Sequence, residues 1–123
     1  MFVLEVLDLN SQSLEADLDG LLFYITLDWN DAGQYWSMGI RNSSYQTLID
    51  GISVSANYPL TWQFRYADMP PGELFVASDK DRSGPVPRDG FVSGDYKLVY
   101  ETYAELVALG VMPGYGETSP LVV

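Results

Sequence analysis

Residues 22–40, LFYITLDWNDAGQYWSMGI, leave little choice of local structure. Phe23, Ile25, Leu27 and Trp29 alternate with Tyr24, Thr26 and Asp28, the two-residue period of a strand with one buried face. Asn30, Asp31, Ala32 and Gly33 then reverse the chain. Gly33 is expected to supply the positive φ of a short hairpin loop, and Asn30 and Asp31 to hydrogen-bond the turn backbone with their side chains. Trp36, Met38 and Ile40 resume the alternation on the way back, opposite Tyr35, Ser37 and Gly39. A hairpin with one apolar and one mixed face requires a covering layer, because two strands alone are marginal in water.

The chain has 123 residues, the length of one domain, and on folding buries roughly two thirds of the surface it exposes when unfolded. Its 47% hydrophobic content is that of a folded protein, and the nine Tyr and three Trp suit pleated, half-buried surfaces. The expected fold is all-β, a small antiparallel β-barrel or β-sandwich with extended N- and C-terminal arms. Residues 1–20 read as an N-terminal strand and acidic loop, 21–101 as the β-domain and 102–123 as a C-terminal extension.

Seventeen acidic residues against six basic ones leave a formal charge of -11, a field that repels phosphate backbones and anionic membranes. Neither cysteine nor histidine is present. That removes disulfides, thiol nucleophiles, the usual zinc, copper and iron sites, and every His-based catalytic pair. No Gly-rich phosphate loop is found, and no enzymatic activity and no cofactor are expected. The start, MFVLEVLDL, lacks the basic region of a signal peptide, and no apolar run approaches the length of a membrane span. The expectation is a soluble protein made inside a cell.

In chain order, residues 2–9 alternate at first and then end in Leu7 and Leu9, which reads as a strand covered on both sides at its end or one lent to a neighbour. Residues 10–20, with Glu15, Asp17 and Asp19, read as an acidic loop closed by Gly20. After a turn at 41–44, a third strand covers 46–54, with Gly51 marking a bulge. Residues 55–66 are less regular because Pro59 cannot donate to a ladder, and Leu60, Trp62, Phe64 and Tyr66 then alternate again. Met69-Pro70-Pro71-Gly72 is a turn, 73–78 a short strand, 79–94 a long loop with Pro85 and Pro87, and 96–100 the closing strand. Residues 103–109 fit one or two helical turns capped by Gly110. Beyond them Leu121, Val122 and Val123 form an apolar end that favours docking.

Three candidate sites follow. Asp79, Asp81, Ser83 and Gly84 match the first half of a calcium loop, but position twelve is Gly90 where a bidentate Glu is needed, and Lys80 and Arg82 bring positive charge to the site. A solvated turn is the preferred reading there, and no metal is expected. The seventeen acids offer many carboxylate pairs, so pairing alone is no sign of a glycosidase. Trp29, Tyr35, Trp36, Tyr58 and Trp62 are ranked first as core, second as a protein interface and third as a platform for a sugar ring. The partner-binding candidates are Trp29, Trp36, Tyr58, Trp62, Phe64, Leu121 and Val122.

The order of these signals resembles a known family. A strand ending in Trp29-Asn30 is followed by a return strand with Trp36, then Leu48-Ile49-Asp50-Gly51-Ile52 and Val54. Leu60, Phe64-Arg65-Tyr66, Pro71-Gly72-Glu73-Leu74-Phe75-Val76, an acidic Gly/Pro loop and Lys97-Leu98-Val99-Tyr100 complete the pattern. Over residues 22–100 the chain resembles the small β-domain of baseplate plug proteins of contractile-tailed phages, of the cyanophage type. The resemblance implies a structural virion protein, made in the host cytoplasm and present in several copies around the tail axis. It also implies contacts with baseplate hub and neighbouring tail proteins that plug or fasten the baseplate centre, and no catalytic residues; the net charge adds the expectation of no binding to nucleic acid or membrane. The alternative is a carbohydrate-binding β-domain using exposed Trp and Tyr.

Overall fold

The computed structural model describes residues 1–64, 68–79 and 84–110. Four strands, β1 (Phe2–Leu4), β2 (Ser11–Leu18), β3 (Leu21–Asn30) and β4 (Tyr35–Arg41), lead to β5 (Thr47–Ser53) and the two-residue β6 (Ser55–Ala56). A 3₁₀ turn at Trp62–Phe64 precedes β7 (Glu73–Ser78), β8 (Gly84–Pro85), the short helix α1 (Gly90–Ser93), β9 (Tyr96–Glu101) and helix α2 (Tyr103–Ala108). One sheet is the meander β2-β3-β4-β5, and the other has the order β1-β9-β7-β6-β8. Two open sheets make this a sandwich-like all-β fold. Every strand pair is antiparallel except β6 with β7, which meet in parallel at Ala56 and Val76.

The hairpin at 22–40 forms as its alternation dictates, with Asn30 opposite Tyr35. Ile25, Leu27, Met38 and Ile40 are fully buried on its inner face, and Leu74, Val76, Leu98 and Tyr100 are fully buried on the inner face of the other sheet. These residues belong to one hydrophobic core. The chain passes between sheets at buried Val54, whose N–H donates to the Trp36 carbonyl at 2.9 Å.

The hairpin loop differs from expectation in one respect. Positive φ falls on Gln34 (56°) and not on Gly33. Gly33 is needed for space, since a Cβ there would stand 2.5 Å from the Tyr35 ring. Asn30 Oδ1 accepts from the Gly33 amide at 2.9 Å, as its side chain suggested.

Residues 10–20 are not a loop. Eight of them form β2, paired with β3 from Ser11 opposite Asp28 to Leu18 opposite Leu21. The acids Glu15 and Asp17 sit on the solvent side while Ala16 and Leu18 face the core, so the acidic spacing by two was itself the strand period. The turn between β2 and β3 is Asp19-Gly20, both at positive φ (57° and 83°), the Asp-Gly pairing that suits a two-residue hairpin loop.

Other stretches are also corrected. Only Phe2–Leu4 of residues 2–9 is strand, and it pairs with β9 of the same chain, Val3 opposite Val99. The following residues are held by Gln12, whose side chain bonds the Leu7 amide and carbonyl, both at 2.9 Å. Arg88 secures them further. Its Nε donates to Asn10 Oδ1 at 2.6 Å, and its guanidinium lies 5.4 Å from the centre of the Trp36 ring.

The alternation Leu60, Trp62, Phe64 makes a 3₁₀ turn and not a strand, because Asn57 at φ 55° and Pro59 break the ladder first; Tyr66 lies outside the described residues. The loop 79–94 contains β8 and α1. The third strand carries its bulge where Gly51 suggested: Met38 faces Ile52 and Ile40 faces Ile49, leaving Asp50 and Gly51 as the extra step.

Candidate functional site

Strands that are apolar on both faces build the most distinctive surface. In β7, Leu74 and Val76 point to the core, which leaves Phe75 on the outer face; in β9, Leu98 and Tyr100 point inward and leave Val99 outside. The register sets Val3, Val99 and Phe75 in one row across β1, β9 and β7. Val99 is buried yet lies outside the main core, as does Leu106 of α2. The five-stranded sheet therefore carries a second, outer apolar cluster.

Beside this cluster lies an open groove of about 600 Å³. Its walls include Tyr58, Trp62, Phe75, Leu106 and Leu109, with Glu73 and Glu101 among the polar lining. Tyr58 is 61% exposed, Trp62 48% and Leu109 66%, a concentration of large apolar surface at one place. The Glu73 side chain is buried, and its Oε2 accepts from the Thr61 amide at 2.8 Å and from the Thr61 hydroxyl. That carboxylate ties Thr61 to the start of β7, beside the backbone bonds from the Asn57 amide to the Val76 carbonyl and from the Leu60 amide to the Leu74 carbonyl.

A polar junction on the core side of the sheet holds the start of α2. Tyr100 donates its hydroxyl hydrogen to Asp19 Oδ2 at 2.5 Å and accepts from the Gly72 amide at 2.6 Å. Asp19 Oδ2 also accepts from the Tyr103 amide at 3.0 Å. The β2–β3 turn, the turn before β7, the end of β9 and the start of α2 thus meet at one phenol. Gly72 is required there: a Cβ would lie 2.0 Å from the Glu101 carbonyl oxygen.

Helix α2 begins with a capping box, in which Thr102 Oγ1 accepts from the Glu105 amide at 3.2 Å and Glu105 Oε1 accepts from the Thr102 amide at 2.9 Å. The amino group of Met1 also contacts Glu105 Oε2. That hydrogen bond first, and the Thr102 amide second, hold the Glu105 carboxyl below its ordinary value.

The residues singled out from sequence fall into distinct environments. Trp36, ranked first as core and named also as a partner candidate, is 1% exposed, donates Nε1–H to the Pro87 carbonyl at 3.3 Å and packs edge-on against Phe91, so it is a core residue. Trp29 is half-buried, edge-on to Trp36 at 5.3 Å, and Phe64 is half-buried against the core. Among the described members of the set, only Tyr58 and Trp62 come together on an exposed surface. Leu121 and Val122 lie outside the described residues.

Of the calcium candidates, Asp79 is exposed at the end of β7, while Asp81 and Ser83 lie outside the described residues. Among the described residues no group of three or more His, Cys, Asp or Glu is placed to hold a metal, and no helix is long and apolar enough to cross a membrane. Sequence reasoning missed Phe75, Val99, Leu106 and Leu109. The runs Leu74-Phe75-Val76 and Leu98-Val99-Tyr100, apolar without alternation, were the available signal of a sheet covered on both faces.

The chemistry on offer is the binding of apolar side chains. A family model described as cyanophage baseplate Pam3 plug gp18 matches residues 1–104. The chain belongs to this family of baseplate plug proteins. Its role is accordingly structural, in the virion tail baseplate and in association with other tail proteins. The match extends to β1 and β2, beyond the 22–100 span of the resemblance, and stops inside α2. No curated protein matches the chain.

Proposed function

We propose that this plug-family chain closes or fastens the centre of the baseplate, in several copies around the tail axis, through direct contacts with hub and neighbouring ring proteins. The match over residues 1–104, which includes every strand of both sheets, carries this reading. Its surface supports it. Val3, Leu7, Leu9, Tyr58 and Trp62 are exposed apolar groups that association would cover, and Tyr and Trp are enriched at protein interfaces. The net charge of -11 gives DNA passing through a tail no purchase on the protein.

Quantitative mass spectrometry of purified particles, intact and after isolation of baseplates, tests this directly. A fixed small copy number retained in the baseplate is expected. Absence from the particle, or loss of the protein with the sheath or capsid fraction, would refute it.

A further inference from the structure

The outer groove is left open by α2, and the chain's own remaining residues begin at its rim. Leu106 and Leu109 form one wall, and Gly110 follows directly, its φ of 80° turning the chain out of the helix. Residues 111–123, VMPGYGETSPLVV, hold Val111, Met112, Tyr115, Leu121, Val122 and Val123 and a single charged side chain, Glu117. This composition is unlike the acidic remainder of the chain. Thirteen residues extended reach roughly 45 Å, ample to cross a groove of this size. We infer that the groove lined by Tyr58, Trp62, Phe75, Leu106 and Leu109 is the seat of the C-terminal segment 111–123 of the same chain.

Three observations converge on this occupant. The outer face of β7 and β9 is apolar at Phe75 and Val99, and α2 brings Leu106 to that side, so this sheet face is built to be covered. The exposed rim, Tyr58, Trp62 and Leu109, marks where α2 alone stops short. Attachment at Gly110 gives the tail an effective concentration on the order of mM at the groove, so modest apolar contact suffices to hold it. A partner then meets the seated tail and the groove's rim as one composite surface. The family match ends at residue 104, so segment 111–123 lies outside it while Tyr58, Trp62 and Phe75 of the groove lie within it.

The test uses the full chain labelled with 5-fluorotryptophan, whose three fluorine resonances report Trp29, Trp36 and Trp62 separately, the last assigned by Trp62→Phe. Two variants interrupt the tail, Val111→Asp with Met112→Asp, and Leu121→Asp with Val122→Asp. In at least one of them the Trp62 resonance is expected to move toward that of free fluorotryptophan and to gain a solvent-isotope shift. The core residue Trp36 keeps its resonance throughout, which shows the fold intact. An unchanged Trp62 resonance in both variants overturns the proposal. So does a wild-type Trp62 signal that changes on dilution, which assigns the seat to a second copy, or one that is already solvent-like and shifts only when other baseplate proteins are added.

Discussion

Replacing Tyr100 with Phe removes one oxygen from the junction where four segments meet. The ring stays, with its place in the core and its tilted contact with Phe2 at 5.7 Å, so no cavity opens. What is lost is a 2.5 Å hydrogen bond to the Asp19 carboxylate and the 2.6 Å bond received from the Gly72 amide. A hydrogen bond to a charged group contributes about 1.5–3 kcal/mol and a neutral one about 1 kcal/mol, but the exposed Asp19 carboxylate regains water, which puts the net cost at about 2–3 kcal/mol.

For a domain of this size that lowers the melting temperature by roughly 6–12 °C. Urea unfolding at pH 7 measures it, with Asp19→Gly as the second arm of a double-mutant cycle. Glycine adopts the φ of 57° at that position without strain, so Asp19→Gly removes the carboxylate and leaves the turn. A coupling of at least about 1 kcal/mol between the two changes is expected. A Tyr100→Phe protein within about 0.5 kcal/mol of the parent, or strict additivity in the cycle, would refute the view that this phenol fastens the junction.

Gly72→Ala places a methyl 2.0 Å from the Glu101 carbonyl, which cannot rotate away, and is expected to cost about 2–4 kcal/mol and most of the soluble yield. Leu27→Ala empties a fully buried site between the sheets and is expected to cost about 2–5 kcal/mol by chemical denaturation, a large share of a typical domain's stability. Glu105→Gln removes a carboxylate whose pKa the Met1 amino group, and after it the Thr102 amide, hold below the ordinary value in the folded protein. A group depressed on folding contributes stability above its unfolded pKa and loses it as pH falls through the folded value. The variant is therefore expected to be less stable near pH 7 and to converge with the parent at the acid end of a melting-temperature profile. Tyr58→Ser, on an exposed rim, is expected to change stability by less than about 0.5 kcal/mol while reducing the copy number recovered in baseplates by mass spectrometry.

Local pattern was sufficient for several elements. The β3–β4 hairpin, β7, β9 and α2 lie where periodicity, Pro-Gly punctuation and Gly110 put them, because each is decided by residues close in sequence. Some legible signals were outweighed by composition. Asp19-Gly20 between Leu18 and Leu21 is a hairpin turn, and Thr102 with Glu105 is a capping box, yet the acidic run ahead of the turn reads as a loop until its spacing by two is weighed.

The sequence alone determined that this chain is a β protein without thiol or imidazole chemistry, and its order of strands and turns was enough to indicate the plug family. Only the tertiary structure decided that β1 closes onto β9, that Tyr58 and Trp62 face outward together, and that an apolar groove lies beside α2. The physical reason is the same in each case. A strand that is apolar on both faces does not encode which face meets the core, and a strand's partner is fixed by contacts far apart in the chain, which no local period records.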